Sequence, residues 1–571
     1  MSGPVIDRDP TAFDRRYDIV VVGAGITGVQ IARELATRRR SVLLVDRDDL
    51  GAGTSSATTK YIHGGIRYLE QYDVAVVRES LRERRILALA APHLVRQTPF
   101  VLPVWSWSKP GRTLLTAGAA AYHALAFDRN RKAPDDLRIG RPHWIDRDGT
   151  LAAVPWLDPT ELRGAVVVTD TLNVHPERLL LALALDAVSA GATIRTHCRV
   201  VGIDLHHLSA GVGSSEAGAA VRGVEIVDEV SGARHRVRAD TVVNAAGPWM
   251  GEVLAATGRS VGPAVRPSKG VHLLTRPMDA EVTSAVMARA RNGRHVVVSP
   301  WQGRSFIGPT DTPVSGAPDD VAPGPDDVDE LLTIVNSCRA PDRQVGLDDV
   351  DDVTVGIRPL VADDDAGDDT DSYRSSRRHH VHDHSGDGIS GLWSISGGKW
   401  TTGRAIAEDV VAQVVGPGGS RTRRRPVHGA AGWAADPDEV FALAMAAHPQ
   451  LAMAPETREH LGRLYGTRCG TVLDLVADDP SLGERVSTRP GCLDIAAQVV
   501  VAVRDEGAVT LSDIVDRRLV IGTLGLVTDD ELRRVAELAA PLRGWADHGR
   551  GVAAAESVRR SERRRRWTRP T

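Results

Sequence analysis

Residues 17–46, YDIVVVGAGITGVQIARELATRRRSVLLVD, pack a strand, a glycine turn, a helix and a second strand into a spacing that few folds accommodate. Asp18–Val22 is an apolar run of strand length, and Gly23, Gly25 and Gly28 follow in a G-x-G-x-x-G pattern. Ile26, Val29, Ile31 and Leu35 then mark a helix, and a second apolar run, Val42–Val45, ends in Asp46. Each part meets a separate physical demand. Gly23 permits a tight turn, Gly25 lets backbone approach a pyrophosphate, and Gly28 lets helix and strand pack closely. The helix N-terminus carries partial positive charge suited to phosphates. Asp46 falls where a carboxylate accepts hydrogen bonds from ribose hydroxyls. The segment predicts a Rossmann-like unit holding a dinucleotide, and the motif alone leaves FAD and NAD both open.

The next stretch favours a flavin. Residues 51–70, GAGTSSATTKYIHGGIRYLE, form a polar loop where an NAD enzyme would usually proceed to another strand–helix unit. Ser55, Ser56, Lys60, His63, Gly64, Arg67 and Tyr68 make it dense in groups suited to phosphates and a flavin ring. Here the chain resembles the FAD-dependent glycerol-3-phosphate dehydrogenases, whose loop runs close to TSSxSSKLIHGGLRYLE. The likeness continues in order through APHLVRQTPFVLP (91–103), NAAGPW (244–249), SKGVHL (268–273) and IGPTDT (307–312). It goes on through GIRPL (356–360), SRRHH (376–380), SGGKWTTGR (396–404) and LYGTR (464–468).

Composition agrees with a large enzyme. The 571 residues suffice for two to four domains, and a net charge of −4 with an ordinary apolar content gives no sign of a nucleic-acid binder. Cys198, Cys338, Cys469 and Cys492 are scattered, which suggests neither a zinc site nor a disulfide framework. The first residues lack the basic start and apolar core of a signal peptide, so the expectation is a reducing, cytosol-facing protein.

The expected fold is α/β: a Rossmann-like FAD-binding domain, an inserted mixed-sheet substrate cap, and an all-α C-terminal domain. The FAD-binding domain is expected from 17–90, 166–265 and 351–415, and the cap from 91–165 and 266–350. A linker at 416–429, helices over 430–545 and a basic tail at 546–571 complete the division. The second glycine turn, SGGKWTTGR, would bring another helix N-terminus toward the flavin.

Oxidising a phosphorylated secondary alcohol requires an anion clamp, a hydride acceptor and a group to take the hydroxyl proton. Arginine suits the clamp because its guanidinium grips phosphate bidentately. The resemblance implies that Arg67, Tyr68, Arg358 and Arg377, with His379, form the substrate pocket. It also implies that Lys399 is a cation beside flavin and substrate, with Arg358 and His63 completing the catalytic set. His63, Lys399 and an arginine-organised water all remain open as the base. The expected cofactor-binding residues are Gly23, Gly25, Gly28, Asp46, Ser55, Ser56, Lys60, Gly64, Gly247, Gly397, Gly398, Lys399 and Thr401.

The activity implied is oxidation of sn-glycerol 3-phosphate to dihydroxyacetone phosphate, by hydride transfer from C2 to flavin N5. Electrons would pass to a membrane quinone at the inner face of the cytoplasmic membrane, with the enzyme a peripheral homo-oligomer. Oxygen as acceptor and a weakly active flavin-binding paralogue are the alternatives. Three departures bear on this reading. Asp46 replaces a glutamate, Gly403 replaces a tyrosine, and residues 361–388 are rich in Asp, Ser, Gly and His. His379, His380, His382 and His384 alternate as strand ligands would, but without a carboxylate at fixed spacing they read as a solvated hairpin and no metal is expected.

Residues 105–132 combine Trp105, Trp107, Tyr122 and Phe127 with an apolar middle and basic flanks, a composition suited to an interfacial helix. The tail RRSERRRRWTRPT (559–571) is strongly basic, a composition suited equally to lying on anionic lipid and to a disordered, solubilising end.

Overall fold

The computed structural model describes residues 3–66, 69, 73–208, 218–263, 265–279, 282–361, 378–433, 437–545 and 549–568. Its first sheet runs, strand by strand, His379–Asp383, Leu392–Gly397, Arg234–Asn244, Arg16–Val22, Val42–Val45, Thr193–Arg195. The inner pairings are parallel, while His379–Asp383 joins the edge antiparallel to Leu392–Gly397. A hairpin arm, Cys198–His207 and Ala219–Asp228, extends from Arg234–Asn244. Parallel strands covered on both faces need continuous apolar sequence. Val42–Val45 is accordingly buried at all of its positions.

The helix Ile26–Thr37 fills the crossover between the first two strands and packs against helices Pro176–Ser189 and Gly403–Val415. Surrounded in this way, it also buries two charged residues, each paired. Arg33 Nε donates to Asp186 at 2.6 Å, and Glu34 accepts from Arg38 at 2.9 Å. The expected linker 416–429 is fastened here. The Ser420 and Thr422 hydroxyls donate to Glu34 at 2.8 and 2.7 Å, and Arg425 reaches Asp186 at 2.8 Å.

The second sheet is mixed and forms the cap: Thr312–Pro313, Val265–Thr275, Arg304–Gly308, His295–Trp301, Ala285–Arg289, Val95–Trp105, Leu162–Asn173 and Tyr61–Ile62. Val350–Val361 pairs along the outer side of Val265–Thr275. Sheet membership therefore divides the chain differently from the expected boundaries at 166 and 351. Leu162–Asn173 and Val350–Val361 are cap strands, and the chain rejoins the nucleotide sheet at His379. The expected boundaries cut Leu162–Asn173 in two and gave nearly all of Val350–Val361 to the nucleotide domain. Their long pairings with Val95–Trp105 and Val265–Thr275 override that.

The C-terminal helices build their own core around Phe441, Leu461, Val472, Val499, Ile514 and Val535. They dock on the nucleotide domain through Asp49, which receives Arg518 on both oxygens at 2.7 and 2.9 Å and Arg517 at 2.6 Å. The basic tail is a helix, Gly549–Trp567. Trp567 is buried in the cap core with Val328, Leu331 and Val353, and Arg563 pairs with Asp352 at 2.9 Å. The final turn is thus a strap from the helical domain to the cap.

Candidate active site

One cavity of about 880 Å³ lies where the two sheets meet, walled by the glycine turns of the nucleotide domain and the inner face of the cap. The first turn behaves as its sequence demands. Gly23 has φ +103°, and a Cβ there would stand 2.6 Å from Ala245 O. A Cβ on Gly28 would overlap Gly23 O, so helix and turn can approach this closely only with glycine. Gly25 opens the helix at the cavity wall, and the first helical amide, Ile26 N, donates to Ser55 Oγ at 2.9 Å.

Asp46 also lines the cavity. One carboxylate oxygen accepts from Ala24 N at 2.5 Å and the other from Asp48 N at 2.9 Å, which leaves lone pairs for a ribose. Burial raises its pKa to about 6 against the opposing pull of these amides. Gly247, Gly397, Gly398 and Lys399 complete this side of the wall. Trp249 stacks against Gly53, lies under the Arg47 guanidinium and donates to Asp319 at 2.7 Å.

The cap side supplies the charge. Arg358 sits in the wall with Nη2 donating to Thr310 O at 2.9 Å and Nη1 to Asp311 at 3.1 Å. Its guanidinium lies against Gly270, where any side chain would collide with it. His272 is buried beside it, stacked on Phe306 at 4.8 Å. Neither ring nitrogen of His272 has a hydrogen-bond partner among the described residues. Burial, then the Arg358 and Lys60 charges, push its pKa down to about 3, so the ring is neutral. His63 lines the same cavity, and its carbonyl accepts from Thr401 Oγ1 at 3.5 Å.

Several expected residues are turned elsewhere. Lys60, held at φ +63°, points its ammonium to Glu177 at 2.9 Å and over the Trp301 ring, away from the cavity wall. Ser56 folds back onto Gly53 O at 3.0 Å. Gly64 faces Leu81 and the Tyr122 hydroxyl, which leave no room for a Cβ. Thr401 is buried behind the wall. His379 bonds Asp409 at 2.9 Å on the helix Gly403–Val415. Lys399 belongs to the wall, and its ammonium donates to buried Ser80 at 2.9 Å. Arg67, Tyr68 and Arg377 lie outside the described residues.

His272, Asp311 and Asp170 are cavity residues that the sequence reading did not single out. The available signal for His272 was a histidine inside the apolar strand run SKGVHLL. Gly403 is explained by packing: a Cβ there would come 2.9 Å from Ile26 Cγ1, so two helix N-termini touch.

Residues 18–408 match the family described as FAD dependent oxidoreductase, and residues 420–550 match the C-terminal domain of alpha-glycerophosphate oxidase. A glycerol-3-phosphate dehydrogenase of Synechocystis sp. is 33% identical over 550 residues, 91% of each chain. The chain belongs to the FAD-dependent glycerol-3-phosphate dehydrogenase family. Glycerol-3-phosphate dehydrogenase 2 of Mycobacterium tuberculosis is 34% identical over 558 residues, covering 94% of this chain and 87% of that one. The solved glycerol-3-phosphate dehydrogenase of Bacillus halodurans, complexed with FAD, shares the fold with a TM-score of 0.73. That likeness covers 96% and 95% of the two chains at 24% identity. The enzyme is an FAD-dependent oxidoreductase, and the cavity fits that cofactor. The side-chain-free Gly23–Gly25 turn at a helix N-terminus suits the pyrophosphate, and Asp46 stands at the ribose end.

Proposed function

We propose that the chain oxidises sn-glycerol 3-phosphate to dihydroxyacetone phosphate and passes the electrons to a membrane quinone. FAD, when bound, supplies the hydride acceptor at flavin N5. The observation that carries this reading is the pairing of Arg358, in one cavity wall, with a buried, neutral His272 whose ring has no hydrogen-bond partner among the described residues. A fixed guanidinium attracts a phosphate, and a neutral imidazole beside it can hold the neighbouring hydroxyl.

The roles then divide by electrostatics. His272 lies next to Arg358, which opposes its protonation, so it orients the C2 hydroxyl rather than taking its proton. Proton acceptance falls to His63, which lines the same cavity as His272. The resemblance adds Arg67, Tyr68 and Arg377 to the phosphate clamp. Lys399 supports the wall from the side of Ser80, so its role is to hold the Gly397–Gly398 turn near the flavin. Gly23, Gly25, Asp46, Ser55, Gly247, Gly397 and Gly398 would hold FAD, with Gly28 acting through packing.

Quinone delivery draws support from the helix Arg112–Leu125. Leu114, Ala117, Ala121 and Ala124 form an exposed stripe continued by Phe127, with Leu114 68% and Phe127 74% exposed. Lys109, Arg112, Arg131 and Lys132 flank it. Trp105 and Tyr122, expected at the interface, are core residues instead. No helix among the described residues is long and apolar enough to cross a membrane, so this stripe would lie in the headgroup layer.

The test is anaerobic reduction by substrate followed by reoxidation with a quinone or with oxygen. Reoxidation by quinone at least tenfold faster supports the proposal. Equal or faster reoxidation by oxygen, with peroxide released, assigns the enzyme to the oxidases.

A further inference from the structure

The strand His379–Asp383 and the turn after it gather three side chains that the flavin site does not use. His382 Nε2 and His384 Nδ1 both converge on one oxygen of Asp387, at 2.9 and 2.8 Å. All three donor atoms fall within 4.8 Å of one another. The sequence supplied the histidines without a carboxylate at fixed geometry, and the fold supplies it. Asp387 N donates to His384 O at 3.0 Å and Ile389 N to the same oxygen at 2.8 Å, closing the turn that presents Asp387.

The surroundings match what a coordinated ion requires. His384 is fully buried, and its other ring nitrogen, Nε2, meets the Ser394 hydroxyl at 2.8 Å. That outer contact fixes the ring so that Nδ1 faces Asp387, the arrangement that orients metal-bound imidazoles. His382 and Asp387 are 37% and 30% exposed, so the open side faces solvent and gives an ion both an entry path and room for water. The second cluster of this type, Asp49, His197 and Asp513, differs because Arg517 and Arg518 already neutralise its carboxylates.

We propose that His382, His384 and Asp387 form a binding site for a divalent transition-metal ion of the zinc class. Two imidazole nitrogens and one carboxylate oxygen select such ions over magnesium or calcium. Donors spaced as these are can each lie about 2.0–2.2 Å from a shared ion after small side-chain shifts. The bound ion ties the turn to the strand pair His379–Asp383 and Leu392–Gly397, whose end carries the Gly397–Gly398 turn of the flavin cavity. The site is a structural brace on that pair.

Full-length, FAD-loaded protein freed of metal with a chelator, then dialysed against micromolar zinc and washed, tests this by metal analysis. The wild type should retain one equivalent of zinc per chain and unfold at higher temperature with it. Asp387→Asn and His382→Gln, both at half-exposed positions, should lose that equivalent and the thermal gain while keeping full flavin content. His380→Gln should keep both. Failure of the wild type to retain zinc overturns the proposal, as does full retention by Asp387→Asn and His382→Gln. Loss of the equivalent in His380→Gln overturns it too, by placing the ion elsewhere.

Discussion

Arg358→Ala tests the anion clamp. Arg358 anchors its fork on Thr310 O and on Asp311, which is 8% exposed. Removing it withdraws a positive charge from the cavity wall and leaves the Asp311 carboxylate there without that partner. Losing one member of a buried, hydrogen-bonded charge pair costs about 2–4 kcal/mol, which corresponds to a fall of about 30- to 900-fold in kcat/KM. The Asp311 charge, no longer offset by Arg358, repels an anionic substrate, so the upper part of that range is expected, expressed chiefly as a raised KM. Arg358→Lys keeps the charge but loses the planar fork, and should fall between the two. Steady-state kinetics against sn-glycerol 3-phosphate, normalised to bound flavin, give the values. A KM within about twofold of wild type at full flavin occupancy would refute the clamp.

Asp46 gives a pH prediction. Its folded, FAD-free pKa of about 6 lies above the ordinary aspartate value of 3.8. The raised pKa means the carboxyl gains a proton as pH falls through 6, and ribose hydroxyls donate more weakly to the protonated carboxyl than to the carboxylate. FAD affinity should therefore be constant above pH 7, weaken as pH drops through 6, and lose that dependence in Asp46→Asn. Fluorescence titration of the apoprotein measures it, and an unchanged profile in the variant contradicts the assignment. Trp567→Ala should destabilise the protein by about 3–5 kcal/mol, as loss of a buried tryptophan does, and calorimetry reads it. A melting temperature equal to wild type would mean that the strap is not docked. Gly403→Tyr should lower stability and flavin content together, because a Cβ there presses on Ile26, which begins the helix proposed to receive the pyrophosphate. Normal flavin content in that variant would show that the two helix ends can separate.

The nucleotide turn was legible because each glycine answers a local constraint that operates within a few residues. Gly23, Gly25, Gly28 and Asp46 therefore stand where the motif put them. Residues whose placement depends on distant partners were not legible in this way. Lys60 lies in the flavin loop by sequence, but Glu177 on the helix Pro176–Ser189 draws its ammonium aside. His379 pairs opposite Gly397 of the cavity-closing turn, and Asp409 captures it. The tail read as a lipid contact or a disordered end because arginine dominates its composition. The signal to the contrary was Trp567, a single large apolar residue within that run, which fills the cap core. Strand allegiance failed for the same reason at Leu162–Asn173 and Val350–Val361, where pairing partners 57 to 96 residues away decide the sheet.

The central claim is that this cavity holds FAD and takes electrons from a phosphorylated secondary alcohol. The most direct measurement is the visible absorption spectrum of the purified protein under anaerobic conditions, before and after sn-glycerol 3-phosphate. The account predicts an oxidised flavin band that bleaches with this substrate and persists with glycerol or amino acids. A flavin band that sn-glycerol 3-phosphate leaves intact, or that glycerol bleaches equally well, would contradict it.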